Sequence, residues 1–188
     1  MSQPSNDTLS TGRILLSHHI SHMFRVQNFP TLFLMNIVFV CTANVSRSVM
    51  AQAIMQRLLL KSNEPIRVSS AGLEADSSGG PDRLTIRVCS DNGLDVSTHR
   101  SIQLTAAILE KADLVLCLGE NHKRIILGAY PGLQNKVFLL KEYGSRTVHG
   151  NPSVDDPIGK RKSTYDRCFE EIQREIKRIV PLLTRHEP

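Results

Sequence analysis

The stretch VCTANVSRSVM, residues 40–50, contains a cysteine and an arginine separated by five small or medium-sized residues. A tight loop that leads into a helix can bind a tetrahedral dianion through its backbone N–H groups and the helix dipole. The planar guanidinium of Arg47 can hold two phosphate oxygens together. The same positive surroundings favour the thiolate form of Cys41, and the Ser48 hydroxyl can donate a hydrogen bond to it. The stretch therefore predicts an enzyme that transfers phosphate onto sulfur.

This loop supplies most of the candidate site residues. We expect catalytic roles for Cys41 and Arg47, and substrate contacts from the remaining loop residues, which are Thr42, Ala43, Asn44, Val45, Ser46 and Ser48. The spacing alone is weak evidence, because a lone buried cysteine usually behaves as a small hydrophobic residue. The interpretation gains weight from the preceding strand pattern, the following helix pattern and an acid elsewhere in the chain.

That acid is expected in the segment NPSVDDPIGK, residues 151–160. A carboxylate on a loop can swing over the site and protonate the oxygen of the leaving group. Asp156 is the predicted general acid, because Pro157 holds the residue before it in an extended conformation. The neighbouring Asp155 is the alternative, and an ordinary Asp-Pro turn is the non-catalytic interpretation.

Hydrophobic patterning predicts the elements that position these residues. The run MNIVFVC, residues 35–41, is typical of a strand buried on both faces, and an apolar stripe of helical period follows over residues 46–61. The same order recurs: further strands are predicted at 66–72, 112–119 and 136–140, and further helices at 81–93, 103–112, 120–130 and about 163–184.

The last predicted helix carries a core stripe at spacings of three and four, formed by Tyr165, Phe169, Ile172, Ile176, Ile179 and Leu183. Pro181 is expected to kink or terminate its end.

Strands that alternate with helices predict an α/β fold: a four-stranded parallel sheet flanked by helices on both faces and joined by right-handed crossovers. Ligands bind such sheets beyond the carboxyl ends of the strands, where the strand order reverses. The first strand ends at Cys41. The phosphate-binding loop after this strand therefore lies where the architecture builds its sites.

The composition of the 188 residues, 40% hydrophobic and 22% charged, is ordinary for one globular domain. The net charge of +5 suits an anionic partner, but no basic run interleaved with aromatics favours nucleic acid. No apolar run approaches the roughly 18 residues of a membrane span. The four cysteines lack the density of a disulfide scaffold and the spacing of a zinc site. We therefore expect a cytoplasmic protein that binds no metal, nucleic acid or membrane.

Residues 1–34 differ from the rest of the chain, because they lack a regular hydrophobic period and are interrupted by polar residues where a secretory signal would be apolar. We expect a mobile N-terminal extension over 1–34 and the functional domain over 35–188. The extension contains His18, His19 and His22. Their spacing would allow them to bind a metal from a helix, but a few histidines in a weakly ordered segment more often bind none.

Several motifs together resemble the low-molecular-weight protein tyrosine phosphatases, over about residues 35–184. They are VFVCTANVSRSVMAQAI, SSAG at 69–72, ADLVLCLGENHKRII, KVFLLKEYG and DDPIG, in the family's order and at its expected distances. The resemblance implies a bacterial-type phosphatase of this class, a four-stranded parallel sheet, and a mechanism without metal or cofactor. It also implies a phosphorylated protein as substrate and inorganic phosphate or another oxyanion in the loop.

The same resemblance implies a role for each matching residue: Cys41 as nucleophile, Arg47 as phosphate clamp, Ser48 as stabiliser of the thiolate, Asn44 as brace of the loop, and Asp156 as general acid and then general base. Four positions depart from the family pattern. Ala43 replaces a glycine, and its methyl group would strain the loop if that position needs φ > 0. Ser46 replaces a second loop cysteine that can protect the nucleophile as a disulfide, Val49 replaces a proline, and Ile158 replaces an aromatic residue.

The residue at position 45 bears on the choice of substrate. In this family a threonine at the position of Val45 would favour phosphoarginine and an aliphatic residue phosphotyrosine, so valine favours phosphotyrosine, with protein arginine phosphatase activity as the alternative. A thiol-dependent arsenate reductase is a second alternative, which needs further cysteines such as Cys89 and Cys117 to meet in space. A non-catalytic phosphate-binding module is the third.

Overall fold

A computed structural model describes residues 34–60, 64–145 and 150–184. All of them belong to one of two compact units, Phe33–Pro188. Apart from Leu34, the predicted N-terminal extension and its three histidines lie outside the described residues, so the expectations for that segment stay predictions.

Four strands form one parallel sheet, as the hydrophobic runs predicted. They are β1 (Met35–Cys41), β2 (Ile66–Gly72), β3 (Leu114–Cys117) and β4 (Val137–Leu139). The order across the sheet is β2-β1-β3-β4. In the pairing of β1 with β2, Cys41 lies opposite Gly72, and in the pairing of β1 with β3, Val40 lies opposite Cys117. The carboxyl ends of the two central strands therefore lie side by side.

Helices follow the strands along the described part of the chain. They are α1 (Arg47–Leu59), α2 (Arg83–Asp91), α3 (Ala106–Lys111), α4 (Glu120–Ala129) and α5 (Lys162–Leu183), with a 3₁₀ turn at Pro131–Leu133. Each coincides with a predicted helix, although α2 and α3 are shorter than the patterns indicated. The side chain of Asp82 caps α2 by accepting from the Leu84 N–H, which delays the start of this helix beyond Pro81.

Helix α5 buries its predicted stripe in the apolar layer that it shares with α1 and α2. Tyr165, Phe169, Ile172, Ile176 and Ile179 are at most 2% exposed, and Leu183 packs beside them. The helix continues through Pro181 and ends two residues later. Proline forfeits one backbone N–H in the last turn, and the helix stops soon after it.

Two apolar layers cover the two faces of the sheet. One layer joins alternate strand residues such as Ile37 and Phe39 with α1, α2 and α5, and the other joins Val38 and Val40 with α3 and α4. Helices thus flank both faces, as predicted. The chain changes face between α2 and α3, so the strand order reverses between β1 and β3. No helix in the described ranges combines the length and apolar composition that a bilayer span needs.

Candidate active site

The loop between β1 and α1, residues 42–46, turns at Asn44, which has a φ of 55°. This left-handed conformation is disfavoured for most residues, but asparagine adopts it more readily than most. Ala43 has no positive φ. The strain that was expected if Ala43 needed a positive φ is therefore absent, because the loop places its left-handed residue one position later.

Asn44 is completely buried and connects the loop to two other segments. Its Nδ2 donates to Ser48 Oγ and to Ser70 Oγ, each at 2.9 Å. Its Oδ1 accepts from the Ile102 N–H at 2.8 Å and from His99 Nε2 at 3.1 Å. Burial lowers the pKa of His99, which favours a neutral ring that donates through Nε2. These four hydrogen bonds hold Asn44 in its left-handed conformation, in keeping with the predicted bracing role.

Gly72, at the end of β2, lies directly against this loop. A Cβ atom at Gly72 would lie 2.6 Å from the carbonyl oxygen of Thr42 and 2.8 Å from Asn44 N. Only glycine allows the two backbones to approach this closely. The SSAG motif therefore contributes twice, through the hydroxyl of Ser70 and through the missing side chain of Gly72.

The thiol of Cys41 is buried beneath the loop, with 3% of the residue exposed. Its Sγ lies 3.0 Å from Ser48 Oγ. Because Ser48 Oγ already accepts from Asn44, its own hydrogen is free to be donated to the sulfur. The arrangement can stabilise a negative charge on Cys41, and this role for Ser48 stays a prediction.

The backbone N–H groups of residues 43–46 donate to no acceptor within the described part of the chain. Ser46, at the N-cap of α1, is 2% exposed, and its hydroxyl also has no partner among the described residues. These donors lie just before the N-terminus of α1, where an anion is favoured. The loop can therefore bind an oxyanion.

Arg47 connects the loop to the predicted acid. Its Nη2 lies 2.5 Å from Asp156 Oδ2 and 3.4 Å from Thr42 Oγ1, and its Nη1 donates to the Val154 carbonyl at 3.3 Å. The Arg47 side chain is 9% exposed and that of Asp156 47%. The structure thus places a buried guanidinium under a carboxylate that solvent can reach.

Asp155, the alternative acid, does not contact Arg47. Its Oδ1 accepts from Asn151 Nδ2 at 3.1 Å, and the residue is exposed. Of the two neighbouring carboxylates, Asp156 is therefore the one that faces the loop.

His122, in the first turn of α4, is a site residue that the sequence reasoning did not identify. Its Nε2 lies 3.0 Å from Thr42 Oγ1, while its Nδ1 is buried without a partner among the described residues. Burial and the nearby Arg47 charge lower the pKa of His122 to about 4, although Asp156 opposes this shift. The signal available in the sequence was its position just after β3, at the switch point of the sheet.

The three other cysteines lie in the core and form no disulfide. Cys89 belongs to the apolar layer of α1, α2 and α5, whereas Cys117 belongs to the layer on the opposite face of the sheet. Burial raises the pKa of Cys89, Cys117 and Cys168 to about 12. Cys89 and Cys117 do not meet in space as the arsenate reductase alternative required.

Residues 36–187 match the sequence model of a family described as low molecular weight phosphotyrosine protein phosphatase. This chain belongs to that family. The low molecular weight protein-tyrosine-phosphatase PtpB of Staphylococcus aureus is 35% identical to it over 73% of this chain and 91% of PtpB. A protein-arginine-phosphatase of Bacillus subtilis (strain 168) is 32% identical over 79% of this chain and 97% of that protein.

The fold of this low molecular weight phosphatase also matches solved structures. The crystal structure of the low molecular weight protein tyrosine phosphatase from T. tengcongensis gives a TM-score of 0.73 at 31% identity, covering 79% of this chain and 99% of that chain. The predicted resemblance, the parallel α/β fold and the class of cysteine-dependent protein tyrosine phosphatases are thereby confirmed. The roles of the individual site residues remain predictions.

Proposed function

We propose that this phosphatase hydrolyses phosphotyrosine in proteins through a phosphate ester of Cys41. The observation that carries the proposal is the position of Arg47, whose guanidinium contacts both Thr42 of the anion-binding loop and the carboxylate of Asp156. One buried cation thus joins the phosphate-binding loop, which begins directly after Cys41, to a candidate acid at the switch point of the sheet.

In the first step, the Cys41 thiolate attacks the phosphorus, and the bond between phosphorus and the tyrosine oxygen breaks. Asp156 gives its proton to the departing oxygen, so that tyrosine leaves as a neutral phenol. Arg47 and the free N–H groups of residues 43–46 hold the other phosphate oxygens as negative charge develops on them. The Ser48 hydroxyl stabilises the thiolate before the attack.

In the second step, water attacks the phosphorus of the cysteinyl phosphate. The carboxylate of Asp156, left ionised by the first step, takes a proton from that water. The bond between sulfur and phosphorus breaks, the electron pair returns to Cys41 as thiolate, and inorganic phosphate leaves the loop. The Asp156 carboxylate is 47% exposed, so the water of this second step can reach it from solvent.

Phosphoarginine in proteins is the second candidate substrate, because a relative named as a protein-arginine-phosphatase is 32% identical over nearly its whole length. Val45 is half-buried in the loop. Its aliphatic side chain offers apolar contact to a phenyl ring and no hydrogen bond to a guanidinium, so it supports phosphotyrosine as the preferred substrate.

The test is turnover of p-nitrophenyl phosphate, a phosphotyrosine peptide and a phosphoarginine peptide by the purified protein and by Cys41→Ser. Turnover that depends on Cys41, with the phosphotyrosine peptide preferred, is expected. Val45→Thr and Val45→Ile form a matched pair, and only the threonine variant should shift the preference toward phosphoarginine. Activity retained by Cys41→Ser would contradict the nucleophile assignment.

The same assay addresses the two other classes. An absence of turnover with all three substrates would favour a phosphate-binding module, and thiol-dependent arsenate turnover would favour a reductase. The position of Cys89 and Cys117 on opposite faces of the sheet supports the phosphatase instead. A cytoplasmic location is part of the proposal, because the four buried cysteines are all free thiols, as is usual in reducing compartments.

A further inference from the structure

Asp156 lies in a segment without helix or strand, which we call the acid loop, residues 151–158. A catalytic acid must be held close to the oxygen that it protonates, because small displacements cost large factors in rate. The contacts that hold this loop in place therefore bear on catalysis.

The ammonium group of Lys141 contacts the acid loop at two backbone positions. Lys141 Nζ donates to the Asn151 carbonyl at 2.9 Å and to the Ser153 carbonyl at 2.8 Å. It also forms an ion pair with Glu171 of α5, and its side chain is 14% exposed. The three N–H bonds of the ammonium thus have three acceptors, two of them in the acid loop.

Lys141 is itself held firmly, just after β4. Arg178 of α5 donates to the carbonyls of Leu140 at 3.0 Å, Lys141 at 3.3 Å and Tyr143 at 2.7 Å. The Lys141 ammonium therefore projects from a backbone that is tied to the longest helix. This makes it a fixed point against which the loop carbonyls are placed.

Beyond Ser153, the loop continues directly into the site. The Val154 N–H donates to the Leu118 carbonyl at 2.8 Å, and the Val154 carbonyl accepts from Arg47. Asp156 follows two residues later. The Lys141 contacts therefore fix the stretch from which Asp156 extends toward Arg47.

We propose that Lys141 is a positioning residue for acid catalysis, which anchors the acid loop through the Asn151 and Ser153 carbonyls and so holds Asp156 over the phosphate-binding loop. The inference rests on the proposed role of Asp156 as general acid. Lys141 acts through the backbone of the loop and does not touch the reacting atoms.

The chain offers a matched control in Lys136. Its ammonium also donates to backbone carbonyls, those of Leu109, Glu110 and Ala112. These carbonyls lie at the end of α3 and not in the acid loop. Replacing either lysine with methionine removes a similar set of lysine-to-carbonyl hydrogen bonds, but only Lys141→Met removes contacts to the acid loop.

The experiment compares kcat/KM for phenyl phosphate, whose leaving group needs a proton, with kcat/KM for p-nitrophenyl phosphate, whose leaving group needs one far less. Lys141→Met should lower the first value about tenfold more than the second. Lys136→Met should leave the ratio of the two kcat/KM values unchanged. Lys141→Arg, which keeps N–H donors at this position, should give a ratio close to that of the wild-type protein. Urea unfolding of each variant verifies that it is folded, and Glu171→Gln offers a second, milder disturbance of the ammonium.

A double-variant test decides between positioning and a general structural effect. In an Asp156→Asn background, Lys141→Met should cause no further change in the ratio, because the acid is already missing. Three results would overturn the proposal: Lys141→Met lowers kcat/KM equally for both substrates, Lys136→Met changes the ratio by a similar factor, or the effect of Lys141→Met on the ratio adds to that of Asp156→Asn. If Asp156→Asn leaves the ratio of the two kcat/KM values unchanged, the acid role of Asp156 is refuted and the role of Lys141 is refuted with it. If Asp156→Asn changes this ratio but Lys141→Met does not, only the role of Lys141 is refuted.

Discussion

We expect His122 to make the stability of this phosphatase depend on pH. Its replacement by glutamine tests whether the pKa of the buried ring is lowered in the folded protein. The folded pKa of about 4 lies below the ordinary value of 6.5, mainly because burial disfavours the charged ring and because Arg47 repels it. Below pH 6.5 the unfolded chain therefore binds a proton that the folded chain does not. Stability that is complete at pH 7 is lost as the pH falls from 6.5 toward 4.

The magnitude follows from these two values. Each pH unit between them costs about 1.4 kcal/mol of unfolding free energy, so His122 should remove about 2 kcal/mol between pH 7 and pH 5. His122→Gln should lack this loss, because its amide can still bond to Thr42 and does not titrate. The free energy of unfolding in urea at pH 7 and pH 5, measured for both proteins, gives the difference directly.

His99 requires a control, because burial lowers its pKa as well. The comparison of His122→Gln with the wild-type protein cancels the His99 contribution, and His99→Gln measures it separately. Equal pH dependence of His122→Gln and the wild-type protein would refute the reasoning. That result would mean that His122 is protonated in the folded protein despite the Arg47 charge.

Three further predictions concern the turn of the phosphate-binding loop. Ala43→Gly should change kcat/KM less than about twofold. It should lower stability by about 0.4–1 kcal/mol in urea unfolding, because no positive φ is relieved and the unfolded chain gains conformational freedom. A clear gain in stability would show that Ala43 is strained. Asn44→Ala should lower stability by at least about 2 kcal/mol, since it removes four buried hydrogen bonds. Asn44→Gly should retain about 1 kcal/mol more stability than Asn44→Ala, because glycine accepts the φ of 55°; equal stabilities of the two variants would argue against a left-handed Asn44.

The parts of the fold that could be predicted are those determined by local patterns. β1 and α1 follow from an apolar run and a helical stripe that are adjacent in the sequence. The anion-binding loop between them is equally local, since Cys41 and Arg47 are only six positions apart. Their placement at the edge of the sheet follows from the general rule for parallel sheets. Asp156 was proposed as the acid from its position before a proline, and the ion pair with Arg47 supports that choice over Asp155.

Contacts between distant segments could not be predicted in this way. The left-handed residue proved to be Asn44, because its side chain bonds to Ser70, His99 and Ile102. The bridge between Gly72 and Gln103 brings these two segments together. Which residue of a tight loop takes the unfavourable φ depends on such partners, and no local pattern reveals them.

The sequence by itself determined the family, the order of strands and helices, and the three residues proposed to act on phosphate, because these follow from short-range spacing and hydrophobic periodicity. Only the tertiary structure decided which side chains support them. His122 reaches Thr42 because β3 lies beside β1. Lys141 reaches the acid loop because that loop returns past the end of β3, where the Val154 N–H donates to the Leu118 carbonyl. Burial, electrostatic surroundings and hydrogen-bond partners exist only once these segments have packed together.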